Sequence, residues 1–65
     1  MKYDKSYIIQ IGKDYVSMID EDTGEYVLTE KLSEAARYTA GGAIIASDRI
    51  NNPNAQMLQL LNERL

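Results

Sequence analysis

The sequence predicts an α+β domain: a three-stranded antiparallel meander packed against two or three short helices. Three observations point there. The first half carries short runs rich in β-branched and aromatic residues, separated by glycine-containing turns. The second half changes to the apolar spacing of helices. The 65 residues, 45% hydrophobic and 26% charged, suit one globular domain.

The first strand is Tyr7-Ile8-Ile9-Gln10-Ile11. Alternation places Tyr7, Ile9 and Ile11 on one face, with Ile8 and Gln10 on the other. Gly12-Lys13-Asp14 supplies the turn, because glycine accepts the positive φ that tight hairpins require. Tyr15-Val16-Ser17-Met18-Ile19 is the second strand. Asp20-Glu21-Asp22-Thr23-Gly24-Glu25 is the next turn, where aspartate can bond its own backbone and Gly24 suits a left-handed position. Tyr26-Val27-Leu28-Thr29 completes the meander.

Leu32, Ala35 and Ala36 then fall at helical spacing, with Thr29 or Ser33 as a cap. Thr39 is the expected cap of a second helix. That helix turns Ala43, Ala46 and Ile50 inward, with Asp48 and Arg49 elsewhere; Gly41 and Gly42 weaken its start. Asn51-Asn52-Pro53-Asn54 is a stop signal. Beyond it, Met57, Leu58, Leu61 and Leu65 line one helical stripe of strong helix formers, with Pro53 at the first helical position behind Asn52. A third helix is the expectation for residues 55–65. The alternation of Gln56, Leu58 and Leu60 against Met57, Gln59 and Leu61 also permits a fourth strand.

Function is bounded first by what is missing. The chain contains no histidine and no cysteine. It therefore lacks the usual general base near neutral pH, thiolate nucleophiles, zinc thiolates and disulfides. Ser17, Ser33 and Ser47 have no histidine to activate them. An acid pair such as Asp20 and Glu30 would need a cleft larger than so small a domain provides. Asp20 and Asp22 have the spacing of calcium-loop ligands, but Gly24 comes one place early and Lys31 stands where the bidentate glutamate belongs. Gly41-Gly42 before a helix lacks the surroundings of a phosphate loop. We expect no enzyme activity, no cofactor and no metal.

Net charge is −3, which disfavours direct nucleic-acid binding. No stretch approaches a membrane span, the start of the chain does not resemble a signal peptide, and the cytoplasm is the expected location. The acids are concentrated: Asp20, Glu21, Asp22, Glu25, Glu30 and Glu34 are interrupted only by Lys31. All five aromatic residues are tyrosines, a type enriched in interfaces. The expected partner is a protein with a basic surface, such as a groove that normally holds nucleic acid. Asp20, Glu21, Asp22, Glu25 and Glu30 would form the charged face, with Tyr15 and Tyr26 as anchors beside the same turn.

The run Tyr7-Ile8-Ile9-Gln10-Ile11-Gly12-Lys13-Asp14-Tyr15-Val16, followed by Tyr26-Val27-Leu28-Thr29 and Ser33-Glu34-Ala35-Ala36-Arg37-Tyr38-Thr39, resembles small accessory proteins encoded by phages of Gram-positive bacteria. Many of these carry a short β-hairpin, a leucine-threonine strand end and a helix with glutamate-alanine. The resemblance implies a small protein acting on a host or phage protein, sometimes as an inhibitor of a defence system. It transfers no site residue. The alternative function is a structural or assembly role through homo-oligomerisation. A small core favours association, and Met57, Leu58, Leu60, Leu61 and Leu65 are the expected surface of a symmetric homodimer.

Overall fold

A computed structural model describes residues 5–60. Within them the chain runs β1 (Tyr7–Ile11), β2 (Asp14–Ile19), β3 (Tyr26–Thr29), a single 3-10 turn (Leu32–Glu34), α1 (Ala40–Ile50) and β4 (Ala55–Gln59). The α+β class is as expected from the sequence. The sheet, however, has four strands in the order β3-β2-β1-β4, and all neighbours are antiparallel. The described residues contain one α-helix, where two or three helices were expected.

β1 and β2 form a hairpin across Gly12-Lys13, with Ile11 opposite Asp14 and Gln10 opposite Tyr15. Gly12 sits at φ 64°, a conformation costly for residues that carry a Cβ. β2 continues into β3 with a register shift between Val16 and Met18. Inside the shift, the Ser17 hydroxyl donates to the Val27 carbonyl at 3.2 Å. The extra residue lets both Val16 and Ile19 join the cluster beneath the helix while Met18 is exposed.

The segment expected to form the first helix closes only one turn. Its backbone is then taken by the sheet. Ala36 N–H donates to Val16 O at 2.9 Å, and Tyr38 exchanges two bonds with Tyr7, at 2.8 and 2.9 Å. Residues 36–38 thus fill the gap that opens between β1 and β2. Ala35 is buried, as the spacing implied, but Leu32 is exposed.

α1 begins as the sequence predicts. Thr39 Oγ1 accepts from Gly42 N–H at 3.0 Å, satisfying one of the free donors of the first turn. Ala43, Ala46 and Ile50 are buried. Ile9, Val16, Ala46 and Ile50 form the centre of the core, edged by Ile11, Ile19, Tyr26, Tyr38 and Ala55. The small alanines let the helix approach the sheet. Each fully buried Ile or Val side chain contributes about 1.5–3 kcal/mol of transfer free energy.

Asn51, at φ 55°, ends the helix in the left-handed conformation. Asn52 then reverses the chain: its side chain accepts from Asn54 N–H at 2.8 Å and its carbonyl from Ala55 N–H at 2.9 Å. The tail emerges antiparallel to β1 and pairs with it from Tyr7↔Gln59 to Ile11↔Ala55. This corrects the expected third helix. A helix would satisfy its own backbone, but it would leave one side of β1 without partners beside the buried Ile8 and Ile9. The strand satisfies both. Leu61 and Leu65 lie outside the described residues.

Candidate functional site: the acidic end of the β2–β3 hairpin

The turn between β2 and β3 is built by its own polar groups. Asp20 Oδ1 accepts from Asp22 N–H at 2.9 Å and from Thr23 N–H at 3.4 Å. Asp20 N–H donates to Glu25 O at 2.8 Å, and Gly24 N–H donates to Asp20 O at 2.7 Å. Thr23 Oγ1 accepts from Glu25 N–H at 3.2 Å. Asp20 therefore works as the staple of an Asx-type turn, the role aspartate takes at such positions.

Two contacts seat this loop on the helix. The Arg49 guanidinium donates to the Glu21 carbonyl. Gly24, at φ 82°, lies so close to the end of the helix that a Cβ there would stand 2.6 Å from Arg49 O. The carboxylates of Glu21, Asp22 and Glu25 are left on exposed residues around an internally hydrogen-bonded loop.

Next to the loop, the face of the sheet turned away from α1 presents Met18 at 59% and Val27 at 54% exposure, paired across β2 and β3. Met18, Val27, Asp20 and Glu25 line one shallow depression at the hairpin end. Apolar and acidic surface therefore meet within a few side chains.

The structure divides the residues expected to act together. Asp20, Glu21, Asp22 and Glu25 share the loop. Glu30 is exposed beyond the other end of β3, roughly 15 Å away along a strand rising ~3.4 Å per residue. Glu34, in the same region, accepts from the Thr29 hydroxyl at 2.9 Å. Tyr15 pairs with Thr29 and so belongs to that far end as well, not to the acidic turn. Tyr26 does adjoin the turn, but its half-buried ring packs against the core and its hydroxyl accepts from Asn52 Nδ2 at 3.2 Å. Tyr26 also lines the depression shared by Met18, Val27, Asp20 and Glu25. Met18 and Val27 are the exposed apolar residues beside the acidic turn. Their signal in the sequence was alternation, which the extra residue at Ser17 displaced.

The expected dimer surface is divided too. Met57 stands opposite Ile9, on the side of the sheet that carries α1, and Leu58 stands opposite Ile8 on the other side. Leu60 N–H donates to Ser6 O at 2.8 Å, extending the β1–β4 ladder. No single apolar stripe joins these residues.

The Tyr38 hydroxyl is pushed above the ordinary tyrosine range, first by burial and then by the negative charge of Glu21. Among the described residues, no group of three or more acids is arranged to hold a metal ion, and no helix is long and apolar enough to cross a membrane. No protein-family model, curated protein or solved structure matches the chain.

Proposed function

We propose that this chain is a non-enzymatic binding protein whose contact face is the acidic end of the β2–β3 hairpin. The partner is a protein with a basic surface that offers an apolar group between its cations. One observation carries the reading: three exposed acids stand on an internally hydrogen-bonded loop, directly beside exposed Met18 and Val27. A loop bonded in this way loses little conformational freedom on binding. The acids speed encounter and select against acidic partners, while the apolar pair supplies the desolvated centre that a charged rim cannot. A basic groove that normally holds nucleic acid meets these requirements. The resemblance to phage accessory proteins favours inhibition of a host protein of that kind.

The test compares capture of proteins from a host-cell lysate by three forms of the chain: wild type, Glu21→Lys/Asp22→Lys/Glu25→Lys, and Met18→Ser/Val27→Ser. We expect a partner recovered by wild type and lost with both variants. For the purified pair, affinity should fall with added salt for wild type and lose most of that dependence in the charge-reversed variant. Equal capture by all three forms overturns the reading.

A further inference from the structure

The opposite edge of the sheet has a different character. Leu60 N–H bonds to Ser6 O, so Ser6 and Leu60 form a hydrogen-bonded pair. Antiparallel alternation then assigns the bonded pairs of β1 and β4 to Ile8/Leu58 and Gln10/Gln56. The bonds of Tyr7 to Tyr38, on the other side of β1, follow the same alternation. Met57 and Gln59 consequently turn their N–H and C=O groups away from β1, at the outer edge of β4. Among the described residues, no strand pairs with that edge.

Natural edge strands are usually protected by charged residues, proline, bulges or shortness. β4 has none of the first three over its five residues, and the chain carries no charge anywhere from Ile50 to Asn62. Beside it on the helix side, Met57 is 39% and Ile44 is 58% exposed, and the two line one surface depression together with Asp48.

We infer that β4 pairs antiparallel with β4 of a second copy of this chain, about a two-fold axis at Leu58. In this register Met57 faces Gln59 of the second copy. All four outward groups of each strand's Met57 and Gln59 are then used, giving four intermolecular hydrogen bonds. A second copy is the occupant that the edge itself describes. It returns the same uncharged strand, so the paired edge itself buries no charge, and Asp48 on the adjoining helix is exposed in the single copy. A basic partner would find no acid on the strand itself, and only Asp48 on the adjoining helix. The acidic loops lie at the far side of the sheet, and joining the β4 edges keeps them apart. The product is an eight-stranded sheet whose outer β3 strands stand about 34 Å apart, at ~4.8 Å per strand. It carries one acidic face at each end.

Sedimentation velocity from low to high micromolar concentration, with amide exchange followed by NMR, tests this. Wild type should pass from monomer to dimer, and the Met57 and Gln59 amides should gain protection with concentration. The Leu58 amide should be protected throughout. Gln59→Lys adds a charge on an exposed side chain and should weaken dimerisation about tenfold or more, with the circular dichroism spectrum retained. Glu25→Lys, on the far side, should leave dimerisation unchanged. Monomer alone at high micromolar concentration overturns the inference, as does a dimer in which the Met57 and Gln59 amides stay unprotected. Neither result bears on partner capture by the acidic loop.

Discussion

The two edges of the sheet are made of the same backbone and differ in almost everything else. β3 is four residues long and lies between Glu25 and Glu30, so a second copy placed against it would bring acids together. β4 is uncharged from end to end, and its outward groups recur at a spacing that matches its own reverse. Under the proposals above, the first edge disfavours a second copy and its acidic loop serves a basic partner, while the second edge serves a second copy. The contrast teaches that, in a chain this small, the placement of charge says more about contact surfaces than the net value of −3 does.

Both edges depend on one shared centre. Ile9 and Val16 are fully buried where β1 and β2 meet α1. Ile9→Ala should cost about 2–5 kcal/mol, by lost transfer energy and the cavity left behind. That is comparable with the whole stability of a small domain. Urea unfolding should show the midpoint collapse, and any loss of partner capture and dimerisation should occur together. If the variant lost one surface and kept the other at full stability, the edges would not share a core.

How legible this was from sequence differs along the chain. The hairpin was readable because local and tertiary preferences agree there. β-Branched residues want strands, Gly12 wants its turn, and Ile9 and Ile11 alternate inward. The helix was readable from its Thr39 cap and from Ala43, Ala46 and Ile50. For the tail the sequence permitted both a helix and a fourth strand; the helix was preferred because Met57, Leu58 and Leu60 are good helix formers, whereas the strand forms because of the open side of β1, which no local window contains. Residues 32–38 failed in the same way, since Ala36 and Tyr38 give their backbones to strands far away in sequence. At the candidate site, the acidic turn was legible as a cluster. The separation of Tyr15 and Glu30 from it was not, because strand register sets that distance.

A smaller effect sharpens the contrast between the seated acidic loop and an ordinary hairpin turn. Gly24 and Gly12 both have positive φ, at 82° and 64°. Around Gly12 a Cβ would meet nothing within 4 Å, so Gly12→Ala should cost only the backbone strain, about 1–2 kcal/mol. Gly24→Ala adds a collision with the Arg49 carbonyl and should cost about 2–4 kcal/mol. Gly24→Ala should also weaken partner capture, by lifting the loop from the helix. Equal urea midpoints for the two variants would show that the loop is not seated on Arg49.

The smallest expected effect concerns Tyr38, whose backbone bridges to β1 and whose hydroxyl senses the acidic loop. Its pKa lies above the ordinary value of about 10 through burial and, secondarily, through Glu21. The folded state therefore favours the neutral phenol. This contribution to stability is fully present below the unfolded pKa and is lost as pH rises through the higher folded value. Absorbance titration should show Tyr38 ionising above the ordinary tyrosine range, as a late component that Tyr38→Phe removes. Glu21→Gln should move it part of the way down, because burial, the larger cause, remains. Added salt should imitate Glu21→Gln by screening the charge, and should do little more in that variant. If Glu21→Gln left the late step where it was, the loop would not hold Glu21 near Tyr38. The loop geometry on which the acidic face depends would then be lost, and the edges would differ in charge alone.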